Sequence, residues 1–179
     1  MTTIKSKLII SLLIIYQSVF AFSIQYYKKQ LIHTNQEQRE VARFISHNAS
    51  KYNLKYTLLA IAFKESQWGR FKLNLADPSA GLFHKLLSYY CVELGLKPNQ
   101  WNMSRVAERL VNNNAESLMV ALYDFQRNYK YFIMKGYPKK LAWRYAIQAY
   151  NAGVSNYRAG KKYYREIVKI IKALKQLGY

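Results

Sequence analysis

In the stretch AIAFKESQW, residues 60–68, a glutamate stands where helical spacing asks for a core residue. Read as a helix, Leu54, Leu58, Ile61 and Ala62 share a stripe whose next places are Glu65 and Trp68, while Lys64 and Gln67 fall off it. A carboxyl group on that stripe faces the interior or a pocket. Burial disfavours its charged form and raises its pKa, so it can stay protonated near neutral pH. That is the state a general acid needs to give a proton to a leaving oxygen, as in cleavage of a glycosidic bond. A buried structural ion pair, or a surface glutamate on a helix that ends early, are the uses without chemistry. The chain has nine Asp and Glu residues, and besides Glu65 the surrounding stretch offers only Asp77, beside Pro78 in a turn where Asp is common for local reasons. A hydrolase of the two-carboxylate kind would need a partner placed for water or for covalent attack.

The elements that must position Glu65 read as consecutive helices. TNQE, Thr34 to Glu37, has the form of a capping box, and Val41, Phe44, Ile45, Asn48 and Tyr52 follow at helical spacing. The helix of Glu65 is expected from about Asn53 to Trp68, with Gly69 at its end. Residues 69–84 read as a loop, and Phe71, Leu73 and Leu75 alternate as a short β-hairpin near residues 70–84 would. Short helical pieces are expected from Ser88 to about Leu110 around Gly95-Leu96-Lys97-Pro98, and Asn112-Asn113-Asn114 can cap the next helix. That helix carries Leu118, Ala121, Leu122, Phe125, Tyr129 and Phe132, and KGYP (residues 135–138) breaks it. A further helix with Ala142, Tyr145, Ala146 and Ala149 stops at residues 151–153, and the last carries Tyr164, Ile167, Val168, Ile171 and Leu174. The fold class is therefore mainly α.

The 179 residues suffice for one domain with a core. At 51% hydrophobic residues the composition excludes a disordered chain. Most of the 17 tyrosines are expected as core and surface filler, although their flat faces and hydroxyls suit sugar contacts. Residues 1–21 read as a signal peptide: Lys5 and Lys7, an apolar run over 8–16, then Val19-Phe20-Ala21 before a cut. An uncleaved membrane anchor is the alternative. With that segment and its two lysines removed, the formal charge falls from +19 to +17. A protein this basic is drawn to an anionic partner, and for an exported chain the cell wall or lipid ranks above nucleic acid. Cys91 is the only cysteine, which excludes an internal disulfide framework, and His33, His47 and His84 are scattered without metal-ligand spacing. No metal or other cofactor is expected.

Three stretches in order carry a resemblance: ESQW at residues 65–68, GLFH at 81–84 and AIQAYNAGVSNYR at 146–158. The set resembles the lytic transglycosylase family, the soluble-type and goose-lysozyme-like enzymes that cut peptidoglycan. That family shows Glu-Ser-x-aromatic, then Gly-Leu-Met-Gln, then Ala-Tyr-Asn-Ala-Gly, and the match spans about residues 40–170. The resemblance implies a lysozyme-like single domain over residues 22–179, with Glu65 as its one catalytic acid and base. It implies substrate contacts from Ser66, from Gly81, Leu82, Phe83 and His84, and from Tyr150 and Asn151. A tyrosine of the last helix also lines the family's cleft; Tyr163 and Tyr164 both qualify, and Tyr164 is preferred because it lies on the apolar stripe. His84 stands for the family's Gln and Phe83 for its Met, and DPSA lacks the usual Gly-Ala, so this loop departs most from the pattern. The implied reaction protonates the glycosidic oxygen between MurNAc and GlcNAc and closes the MurNAc C6 hydroxyl on C1, giving a 1,6-anhydro sugar without water. The implied partners are peptidoglycan strands and a secretion, conjugation or phage machine, in the periplasm or outside the cell. A lysozyme-type muramidase on the same fold, a non-catalytic wall-binding module and a basic nucleic-acid binder without a recognisable reading motif are the competing readings.

Overall fold

The computed structural model describes residues 23–179, and the expected signal segment lies outside them. The described chain begins with a helix, α1, over residues 23–32. The next, α2 (Gln36–Ser50), opens on a capping box one residue later than the sequence pattern suggests. Asn35 Oδ1 accepts from Gln38 N–H, and Gln38 Oε1 accepts from Asn35 N–H, each over 2.9 Å. Thr34 is unavailable for this role because its hydroxyl closes the preceding helix, donating to Leu31 O over 2.8 Å.

Helix α3 (Lys55–Ser66) is the centre of the molecule and packs between α2 and α8 (Lys161–Gln176). The expected single stripe does not exist. Leu58, Leu59, Ala60, Ile61 and Ala62 are all fully buried, so the helix is covered on nearly every side. It also ends two residues before Trp68. Gln67 (φ 50°) and Trp68 (φ 56°) are left-handed, and Trp68 N–H reaches back to Ala62 O in a Schellman-type closure. Trp68 is buried all the same: its ring folds back onto Phe63 at 5.0 Å and its indole N–H donates to Leu59 O over 2.9 Å.

The loop after α3 forms a small antiparallel sheet in the order β1 (Leu73–Asn74), β2 (Ser79–Ala80), β3 (Lys85–Leu86), with Leu73 opposite Ala80 and Ser79 opposite Leu86. The expected hairpin is thus present, with a third strand added. Its alternating apolar residues do not face the core: Phe71, Leu73 and Leu75 are exposed, and the small residues Ser79 and Ala80 are buried instead, where β2 meets α5 (Gln100–Asn112). Helix α4 (Leu87–Glu93) and α5 bury Leu87, Tyr90, Cys91, Val106 and Leu110 with Ala80 as a second core. Asn113 caps α6 (Asn114–Met134), accepting from Glu116 N–H over 3.0 Å. Helix α7 (Lys139–Ala152) packs along α6, and a 3-10 helix (Tyr157–Gly160) leads into α8. The eight helices among the described residues and the small sheet make one mainly helical domain. The buried face of α8 is Tyr163, Ile167, Ile170, Ala173 and Leu174, one position round from the expected Tyr164, Val168 and Ile171. Both sets are apolar, and contact with α3 and α7 selects the former.

Candidate active site

Glu65 sits in the last turn of α3, and its side chain is 20% exposed. Two other elements reach it, and a third braces the second of them. From the start of α8, Tyr163 Oη–H donates to Glu65 Oε1 over 2.5 Å. From the loop before β3, His84 brings Nδ1 to 3.6 Å from Glu65 Oε2. From the end of α7, Tyr150 Oη–H donates to Phe83 O over 3.1 Å and braces that loop. Burial raises the pKa of Glu65. The Tyr163 hydrogen bond and the fields of His84 and Lys64 pull it down, and burial outweighs them. Tyr163 and Tyr150 are both raised well above the ordinary tyrosine value, chiefly by burial and further by nearby carboxylates, so they act as hydroxyl donors.

The loop of residues 81–84 is fixed at every residue. Gly81 N–H donates to Lys72 O over 2.9 Å. Its φ of +84° and the 2.5 Å separating an added Cβ from Ser117 Oγ both require glycine. Leu82 N–H donates to that Ser117 Oγ over 2.8 Å, and Leu82 O accepts from Ser66 Oγ–H over 2.8 Å. Ser66 Oγ also accepts from Gly69 N–H over 3.0 Å, so this buried hydroxyl ties the end of α3 to the loop. His84, at φ 45°, rests Nε2 on Phe71 O over 2.7 Å. The next residue, Lys85, bonds to Asp124 (2.8 Å) and Glu93 (2.7 Å), and Arg127 completes the network from the other side at 2.9 and 2.8 Å. Both Asp124 oxygens are therefore taken by cations. Glu93 is held below the usual carboxylate range: burial opposes ionisation, and Lys85 and Arg127 outweigh it.

The sequence-predicted residues divide by position. Tyr150 braces the loop that carries His84, and His84 comes to the Glu65 carboxyl. Ser66, Gly81, Leu82 and Phe83 stand behind it, with Leu82 and Phe83 buried in the main core. Asn151 is exposed in the last turn of α7. Tyr164 does not reach Glu65; it packs edge-on against Trp143 at 6.1 Å, with the Arg144 guanidinium over its ring. Sequence reasoning named Tyr163 but preferred its neighbour, and it missed Ser117, Lys85 and Asp124, whose roles depend on contacts more than thirty residues away in the chain. Lys64, expected to be solvated, pairs with Glu166 of α8 at 2.6 Å. Among the described residues no three His, Cys, Asp or Glu side chains gather as a metal ion would require, and no helix is long and apolar enough to cross a membrane.

In Tyr163→Phe the Glu65 carboxyl loses the bond that favours its ionised form, so its pKa should rise further, while Tyr164→Phe should leave it unmoved. NMR titration of the Glu65 carboxyl carbon checks this, and a shift confined to the Tyr164 variant would return the role to Tyr164.

A scan against models of protein families, a search of curated proteins and a search of solved structures each returned no match.

Proposed function

We propose that this protein is a peptidoglycan lytic transglycosylase on a lysozyme-like fold. The observation that carries the reading is the setting of Glu65: a largely buried carboxyl with a raised pKa, oriented by Tyr163 at 2.5 Å and reachable from solvent. A protonated carboxyl so placed can serve as a general acid, and after giving up its proton it becomes a base at the same point in space. Asp124, the buried carboxylate that bears on Tyr150, is committed to Lys85 and Arg127, which favours a mechanism needing one carboxylate.

In this reading Glu65 gives its proton to the glycosidic oxygen on the GlcNAc side as the bond to MurNAc C1 breaks. The MurNAc C6 oxygen closes on C1 and its proton passes to Glu65, which is restored without water. Tyr163 keeps Oε1 in place throughout, because a phenol held in its neutral form can donate to both forms of the carboxyl. Tyr150 holds the loop that carries His84, and Asn151, exposed at the end of α7, is the residue this reading assigns to contact the sugar. Export by residues 1–21 and attraction of the basic chain to anionic wall belong to the same proposal.

Digestion of purified peptidoglycan followed by mass analysis tests it. The expected products end in 1,6-anhydroMurNAc and are lighter by one water than hydrolysis products. Reducing ends would make the protein a muramidase, and retention on wall sacculi without release would make it a binding module.

A further inference from the structure

At the opposite end of α3 from Glu65 lies a cavity of about 520 Å³ that the proposed reaction does not use. The first turn of α3 forms one wall, and Trp143 of α7 and Ile171 of α8 close it. Tyr56, in that first turn, stands about 14 Å from Glu65 along the helix axis, so the two places are distinct. Two lysines converge here. The Lys55 ammonium lies 5.2 Å from the centre of the Tyr56 ring, and the Lys175 ammonium, arriving from α8, lies 5.1 Å from it. The lining holds no acidic side chain. None of the nine Asp and Glu residues lies in 41–64, 125–165 or 167–179, the stretches that build the walls. Thr57 is buried at 5% exposure and lines the cavity, and its hydroxyl has no partner among the described residues. Helix α3 also starts without a side-chain cap, with Leu54 in the capping position, so its leading N–H groups lack the oxygen that Asn35 and Asn113 supply to α2 and α6. Trp143 is held edge-on by Tyr164 at 6.1 Å, with the Arg144 guanidinium over Tyr164 at 5.2 Å, so the tyrosine that the sequence favoured for the catalytic cleft braces this wall instead.

We propose that this cavity is a second glycan site, which binds an amino sugar carrying a carboxylate on a short arm. Its groups match the parts of such a ligand. Tyr56 and Trp143, both half-buried, offer flat apolar faces to the sugar ring. The Thr57 hydroxyl and the Asn53 side chain bond the ring hydroxyls and the acetamido group. Lys55 and Lys175, with the uncapped start of α3, take the carboxylate. The volume lies in the ordinary range for small-ligand pockets, about 300–1,000 Å³. It suits one sugar with its arm and not a run of stacked bases, which favours wall glycan over nucleic acid. The choice of sugar rests on the transglycosylase reading. On that reading it is MurNAc with its lactyl carboxylate free, the form left when the stem peptide has been removed from a strand. In a peptide-bearing strand the same carboxyl is an amide and carries no charge. The site therefore holds the protein on peptide-stripped strands, apart from the place where Glu65 acts.

NMR titration of the full chain with N-acetylmuramic acid tests the site. The Trp143 indole N–H and the backbone amides of Lys55, Tyr56 and Thr57 should shift together. Three controls should each bind at least roughly tenfold more weakly: N-acetylglucosamine, which has the ring without the acid; lactate, which has the acid without the ring; and the neutral lactyl methylamide of N-acetylmuramic acid. Lys55→Gln and Lys175→Gln should each weaken N-acetylmuramic acid roughly tenfold, the loss of one charge-assisted bond. Both side chains reach solvent, so these variants keep the fold. Equal binding of any control, shifts confined to the surroundings of Glu65, or lysine variants that bind as wild type does would overturn the proposal. So would a short single-stranded oligonucleotide that moves the same signals at lower concentration. Shifts at Trp143 without wall cleavage would leave the site standing and remove the transglycosylase reading. Anhydro products from a protein whose Trp143 signal stays still would do the reverse.

Discussion

Glu65→Gln should yield a folded protein that releases wall fragments roughly 10²–10⁴-fold more slowly than wild type, the range general acid–base catalysis commands, and toward its upper end because one group supplies both proton transfers. The substitution keeps the shape of the side chain. Its amide oxygen still accepts from Tyr163, so that contact survives and only the titrating proton is lost. The stability of the variant has a definite sign. Burial raises the folded-state pKa of Glu65 above its ordinary value, so the folded protein holds that proton more tightly than the unfolded chain. Wild-type stability from this group is therefore full at low pH and is lost as pH rises from the ordinary glutamate value through the raised one. Gln carries no such dependence. The variant should melt at or above wild type at pH 7, with its relative advantage shrinking toward pH 4. Rates on purified peptidoglycan and melting curves at the two pH values measure both. An active variant would make Glu65 a packing residue, and a variant less stable at pH 7 than at pH 4, relative to wild type, would mean that burial does not govern its ionisation.

The carboxyl was legible in the sequence for a reason that is only partly the right one. Spacing placed Glu65 next after Ile61 and Ala62 on an apolar stripe, yet α3 is buried all round and has no polar face to contrast with. What matters is that in the last turn Lys64 and Glu65 face outward while Phe63 and Ser66 stay buried, and Gln67 and Trp68 in left-handed geometry close the helix just beyond. Trp68 was correctly expected to be buried, but it arrives by folding back over the helix. The choice between Tyr163 and Tyr164 was beyond periodicity. Residues 163, 164, 167, 168, 170, 171 and 174 supply two overlapping apolar faces about 100° apart, and only the arrangement of α3 and α7 picks one. The same holds for the capping box, where TNQE and NQEQ differ by one register and the preceding helix claims Thr34. The loop motif was visible as GLFH, but the contacts that hold it, Ser117 to Leu82 and Asp124 to Lys85, join residues 35 and 39 apart and leave no local signature.

Gly160→Ala should be among the most destabilising single-methyl additions in the chain, although nothing in RAGKK distinguishes this glycine from one in an ordinary turn. Its backbone, at φ −72° and ψ 9°, is one that any residue adopts, so the demand is for space. A Cβ there would lie 2.2 Å from the carbonyl oxygen of Gln148 and 2.8 Å from its Cα. Those are backbone atoms inside α7 and cannot rotate away as a side chain would. The 3-10 helix and the start of α8 must therefore back off from α7. Forcing extra volume into a packed contact costs about 1–3 kcal/mol, and a rigid backbone partner places this case at or above the upper end. For a domain of this size that corresponds to a fall in Tm of roughly 6–12 °C. Gly95→Ala is the matched control: its φ of +72° is strained for alanine, but the space around it is open, so only the left-handed penalty of about 1–2 kcal/mol applies. The consequence reaches the site, because Gly160 is three residues before Tyr163 and Gln148 two before Tyr150. Separating α7 from the start of α8 should pull the Tyr163 hydroxyl off Glu65, so the carboxyl pKa in Gly160→Ala should rise as it does in Tyr163→Phe. Melting curves of the two alanine variants and the Glu65 titration in Gly160→Ala decide the matter. A Gly160 variant that melts with the Gly95 variant, or one whose Glu65 titrates as in wild type, would show that the approach of α8 to α7 is not what seats Tyr163.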